Sequence, residues 1–305
     1  MTASGRFVCF LILSLIPSAA LNGQTYSANA VGYYTVNLHR GYFMIANHLN
    51  YKGNQLDEVL PLPDWATGSE FYKFDATTQR YLDTMQWVAG VGWLSTVPNP
   101  TLNPGEGAFI RVLNNGVTTP ITLTFVGDIP GPRCNLPTRG TLYQGFNQWS
   151  LNFGETLASL NPVTGDAIFQ FWPEGQSYHD TWIYIESIGW LGPEPDLNGP
   201  RIPTGESFFY QTLQTRTVCG WDGPGPAFAP LALPGVTLQN PTRSDAAFSF
   251  QFLSESGKTY HVQSTDTYPG AWGPNGAPIA GTGQSITFTD STASAPARYY
   301  RLRIE

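Results

Sequence analysis

The amino-acid sequence predicts an all-β protein: two homologous, jelly-roll-like β-sandwich modules followed by a small sandwich of the immunoglobulin or fibronectin type III kind. Three observations carry that expectation. The first is an internal repeat. Residues 68–94 and 165–191 align without a gap at a constant offset of 97, and nine of the 27 positions are identical. The identities are Gly68/Gly165, Phe74/Phe171, Gln79/Gln176, Tyr81/Tyr178, Asp83/Asp180, Thr84/Thr181, Gly92/Gly189, Trp93/Trp190 and Leu94/Leu191. The match resumes at an offset of 100, with Gly105, Glu106 and Phe109 against Gly205, Glu206 and Phe209. Self-similarity at a fixed spacing marks copies of one structural unit. The second observation is composition. Charged residues are 12% of the chain and aromatic residues 14%, with 32 Gly and 25 Pro. Charge is about half the usual ~25%, and aromatics with turn formers suit short strands packed face to face. The third is alternation in short runs, as in Phe248, Phe250 and Phe252, the period of a half-buried strand.

Taken in order, the chain opens with Arg6, the apolar run 7–16 and the small residues Ser18, Ala19 and Ala20. That pattern predicts a signal peptide over 1–20, with Gly23 as the alternative cleavage point. The first module is placed at 24–132. It begins with strands at 33–38 and 41–49, then a helical turn at 56–60 stopped by Pro61. Strands at 70–75 and 80–88 form a hairpin through Ala76-Thr77-Thr78, and strands at 106–113 and 121–126 complete the unit. The second module, 133–222, repeats the order at 145–153, 157–160, 167–172, 178–188 and 206–213. Its loop before Gly205 is three residues longer, the difference between the offsets of 100 and 97. Residues 223–235 are rich in Pro and Gly and read as a linker. The terminal domain, 236–305, contains strand-like runs at 247–253, 259–264, 285–289 and 298–304, enough for a small sandwich.

These residues carry a resemblance. Gly41–Asn47 with Ile45-Ala46-Asn47, Phe71-Tyr72-Lys73-Phe74-Asp75, Gly92-Trp93-Leu94, the run Leu102 to Ile110 with Pro104-Gly105-Glu106-Gly107, and Thr124 to Gly127 resemble a tandem-repeat β-module of exported bacterial proteins. A related pattern occurs in secreted surface proteins of gliding bacteria. The run Phe248 to Phe252, Tyr260 to Thr265, Trp272, Phe288-Thr289-Asp290 and Arg298 to Arg303 resemble a module common at the ends of large exported bacterial proteins. The resemblance implies β-sandwich modules at or outside the cell surface. The second module departs from the pattern at Asn147-Gln148-Trp149 and at Trp172.

The formal charge of −7 becomes −8 once Arg6 is removed with the signal peptide. An acidic chain with 15 Lys and Arg in 305 residues has no footprint for nucleic acid. No stretch of the mature chain is long and apolar enough to be a membrane span. After processing, two cysteines remain. In an exported chain Cys134 and Cys219 suggest one disulfide joining the ends of the second module, with a pair of free thiols as the alternative.

Candidate site residues come from differences between the copies. Tyr72 and Phe74 match Phe169 and Phe171, so that face is expected in a core. Lys73 and Asp75 match Gln170 and Trp172, so Trp172 is expected at the surface. There it is either a platform for a sugar ring or a contact with the neighbouring module. Tyr178, Asp180, Trp182, Tyr184 and Glu186 share one face if a single strand runs through them. Read as a ligand face, Asp180, Trp182 and Tyr184 join Trp172. Read as a core face, they match Tyr81, Asp83, Met85 and Trp87. Trp93 and Trp190 are expected to be structural, and Glu106 and Glu206 to bond the backbone at a turn. The four histidines, His39, His48, His179 and His261, have no metal-ligand spacing, and neither a calcium loop nor a nucleophile elbow is present. No cofactor is therefore expected. The reading is a non-catalytic, exported structural or attachment protein, whose partner is a polysaccharide or another cell-surface protein. The alternative is a carbohydrate-binding protein that uses the second repeat's exposed aromatics.

Overall fold

A computed structural model describes residues 25–130, 141–151, 153, 155–193, 196–218, 235–244 and 247–305. The signal peptide, Cys134, Cys219 and all of the linker but Gly235 lie outside these residues. The described residues are nearly all β, 47% of them strand and 4% helix, in several antiparallel sheets with no barrel among them.

The two repeats fold alike. In the first, a five-stranded sheet runs Gly41–Ala46, Gly107–Val112, Glu70–Tyr72, Met85–Val88, Gly92–Leu94. In the second the order is Gly145–Trp149, Phe208–Thr212, Ala167–Phe169, Trp182–Ile185, Gly189–Leu191. Each sheet carries a small hairpin, Phe74–Asp75 with Arg80–Tyr81 and Phe171–Trp172 with Ser177–Tyr178. The Gly-Trp-Leu segments are short edge strands. Gly92 and Gly189 sit at φ +105° and +111°, which glycine adopts without strain. Trp93 and Trp190 are buried, and the Trp93 Nε1 donates to Leu60 O at 2.8 Å.

The repeats pack as a reciprocal pair. The Gln79 amide bonds the backbone of Phe146, accepting from its N–H at 2.7 Å and donating to its carbonyl at 2.9 Å. Its equivalent Gln176 bonds Tyr42 in the same way, at 2.8 and 3.1 Å. Antiparallel bridges Ile45–Glu206 and Glu106–Trp149 complete the reciprocity. Such mutual contact between like surfaces is the pattern of a two-fold dimer, here within one chain. At its centre Phe109 and Phe209 lie 6.3 Å apart, each receiving an aromatic edge from the other repeat, Phe171 and Phe74 at 5.2 Å. Tyr72, Phe74, Phe169 and Phe171, expected in a core, thus pack between the repeats.

A further sheet unites early and late strands of the described residues. Val31–Leu38 pairs with Ile121–Asp128 on one side and with Ala297–Ile304 on the other. Thr259–Thr265 continues the sheet, and Leu238–Ser244, Ala247–Leu253 and Ser285–Asp290 face it as the second layer of a sandwich. Strands read from sequence as part of the first module therefore complete the C-terminal sandwich. The strand Val31–Leu38 has two apolar faces. Val31 and Tyr33 enter the C-terminal core with Phe248, Phe250 and Phe252, while Tyr34 and Leu38 enter the core of the first repeat. Each fully buried phenylalanine of that set contributes about 1.5–3 kcal/mol.

Candidate functional site

The second repeat presents its site on a hairpin. Phe171 turns inward to the inter-repeat cluster, and alternation turns Trp172 outward, where it is 46% exposed. His179, just beyond the hairpin's second strand, stacks on the indole with ring centres 5.8 Å apart and planes at 24°. A side chain at Gly175, in the turn, would collide with the indole ring. The first repeat has no such platform. Its equivalent of Trp172 is Asp75, which caps its own turn by accepting from the Thr77 N–H at 2.9 Å and from the Thr77 and Thr78 hydroxyls.

Trp172 stands on a cleft of about 660 Å³ between the repeats, within the ~300–1,000 Å³ of small-ligand sites. One wall is residues 35–39 and 43–45 of the first repeat. The other is the hairpin and the longer loop, with Pro193, Pro200, Arg201 and Pro203. The three extra residues noted in the sequence thus belong to the loop that walls the cleft. Glu174, His179, Arg201 and Glu206 bring polar groups to it.

The sequence-predicted site residues divide. Trp172 is exposed as expected. Trp182 is 4% exposed and packs in the second repeat's core with Leu157, Trp190 and Tyr210, reaching the cleft only as part of its wall. It is therefore not an exposed platform. Tyr184 is half-buried with its ring 5.3 Å from Trp190. Asp180 is exposed but not on the cleft. The single strand expected through 178–188 is broken: Ser177–Tyr178 ends in the hairpin and Trp182–Ile185 begins in the main sheet. The His179 N–H donates to Gln170 O at 2.9 Å across this break, so the alternation does not carry from Tyr178 to Trp182.

Glu106 and Glu206 differ as well. Glu106 behaves as expected of a turn carboxylate, accepting from the Asn103 N–H at 2.8 Å, and it also pairs with Lys73 Nζ at 2.7 Å. Glu206 has no side-chain hydrogen bond or ion pair among the described residues. Burial, then the nearby charge of Glu174, pushes its carboxyl above the usual range. The sequence reading missed Glu174, His179, Arg201 and Glu206 as neighbours of Trp172. For Glu206 a signal was present in the aligned copies, where Gln170 replaces Lys73 and Pro203 replaces Asn103.

Among the described residues no group of three or more His, Cys, Asp or Glu is placed to hold a metal ion, and no helix is long and apolar enough to cross a membrane. No protein-family model, curated protein or solved structure matches the chain.

Proposed function

We propose that the protein is an exported, non-catalytic attachment protein that holds a carbohydrate in the cleft between its repeats. One observation carries this reading: an indole held flat by His179 and exposed on a concave surface among polar side chains. Sugar rings have apolar faces that pack on indoles and hydroxyl edges that need donors and acceptors. The polar groups of Glu174, Arg201 and Glu206 supply the second requirement. The test is retention of the mature chain on a panel of insoluble polysaccharides, beside Trp172→Ala. Retention by at least one glycan, lost in the variant, is the expected result. Equal retention of both proteins overturns the site, and release of reducing ends from the glycan overturns the non-catalytic part.

A second reading is a structural protein that docks on a protein neighbour. It is favoured by Ile183 and Leu191, which lie side by side on the edge hairpin of the second repeat, 47% and 41% exposed. Replacing both by Asp abolishes such docking and leaves glycan retention unchanged.

A further inference from the structure

We infer that the cleft selects an amino sugar, with the ligand's ammonium on Glu206 and its ring on Trp172. The inference rests on the carbohydrate reading above and specifies its ligand class.

The two repeats carry two copies of one site that differ in their donors. In the first repeat, Glu106 receives the Lys73 ammonium at 2.7 Å, the Asn103 N–H at 2.8 Å and the Asn103 amide at 3.3 Å. The same ammonium donates to Thr101 O at 3.0 Å. In the second repeat Gln170 occupies the Lys73 position, and its amide donates to Arg201 O at 3.0 Å, the carbonyl equivalent to Thr101 O. The backbone frame is therefore preserved and only the charge is gone. Pro203 replaces Asn103 and has neither an N–H nor a side-chain donor. Glu206 thus loses the counterparts of all three donors, while Gly205 and the Ile45 bridge hold its backbone in the equivalent place.

A carboxylate withdrawn from water without a partner is costly, so a ligand that brings the missing donor is rewarded. The first repeat shows which donor the frame accepts, a primary ammonium. The cleft also suits an ammonium electrostatically: among the described residues, Glu174 and Glu206 stand against the one guanidinium of Arg201, with the imidazoles of His39 and His179 as the other titratable groups on it. The indole adds attraction for a cation near its face, and its breadth favours a ring over a linear amine.

The test is calorimetric titration of the mature chain with three soluble trisaccharides at about 0.15 M salt, where non-specific attraction is screened. The trisaccharides are of glucosamine, N-acetylglucosamine and glucose, at a pH where the free amine is charged. The expected result is that the amine form binds at least about tenfold tighter, the size of one charge-assisted hydrogen bond. Glu206→Gln removes that preference. Gln170→Lys removes it too, by restoring the internal ion pair of the first repeat. Thermal unfolding at or above the wild-type temperature in both variants shows that the fold is intact. Equal binding of the three sugars, weakened only by Trp172→Ala, overturns the ammonium and leaves the carbohydrate reading standing. Binding of none overturns the carbohydrate reading and this inference with it.

Discussion

At the scale of single residues, environment separates carboxylates that the sequence leaves alike. Asp128 is pushed up to about 6 by burial, against a hydrogen bond from the Asn29 amide. An unfolded Asp titrates near ~3.9, so between these values the folded chain holds the proton more tightly than the unfolded chain. This group's contribution to stability therefore rises as pH falls from about 7 to 4. Asp128→Asn keeps the Asn29 contact and removes that slope, which melting temperatures of both proteins across the range will show. Asp290 has the opposite sign. Burial pushes its carboxyl up, but hydrogen bonds from Thr292, Asn275 and Tyr300 outweigh burial and hold it below the usual carboxylate range. Its stabilisation is present above the unfolded value and is lost as pH falls below ~4. Asp290→Asn is correspondingly less stable at neutral pH and less sensitive to acid. Asp166 is fully buried, and the Tyr210 hydroxyl and the Arg216 guanidinium both donate to it. Asp166→Ala leaves that guanidinium without its carboxylate and is expected to cost about 3–5 kcal/mol in denaturant unfolding.

At the scale of elements, the paired repeat explains why particular positions stayed the same. Phe74/Phe171, Gln79/Gln176 and Tyr81/Tyr178 all lie on or beside the surface the copies share, and Gln79 and Gln176 each clamp a strand of the other repeat. Gly41 and Gly145, at φ +126° and +99°, are the strand starts against which those amides rest. Gln79→Ala and Gln176→Ala should each cost roughly 0.5–1.5 kcal/mol. The two sites are equivalent but separate, so the double variant should show near-additive loss. A double-variant loss far from the sum, measured by urea unfolding, would contradict independent clamps. Most strands were legible from alternation: Ala247–Leu253 matches the expected run end to end. The breaks at Lys73, Gln170 and 179–181 were not, because a short hairpin and the strand beside it share one apolar pattern. Only pairing partners reveal where one stops.

At the scale of the whole molecule, the strand Val31–Leu38 joins what reads in sequence as two distant domains. Its neighbours are Ile121–Asp128 and Ala297–Ile304, and its two faces serve two cores. The first repeat and the C-terminal sandwich should accordingly unfold together. A Cβ at Gly32 would collide with the Tyr299 ring and come within 2.6 Å of Arg298 O. Gly32→Val is expected to lower stability by about 3 kcal/mol and to raise hydrogen exchange in both units at once. Exchange raised on one side alone would overturn the shared unit. The sequence by itself determined the all-β class, the two-fold repeat and the surface position of Trp172. Period, composition and a mismatch between aligned copies are local facts that need no partner to be read. Tertiary structure alone decided which face of Phe74 and Phe171 meets the other repeat, that Trp182 is buried, and that Glu206 shares a cleft with Trp172. It also decided that Val31–Leu38 and Ala297–Ile304 share a sheet. Trp182 is buried by strands paired within its own repeat, whereas the other outcomes depend on contacts between distant parts of the chain, and a strand with two apolar faces carries no mark of its neighbours.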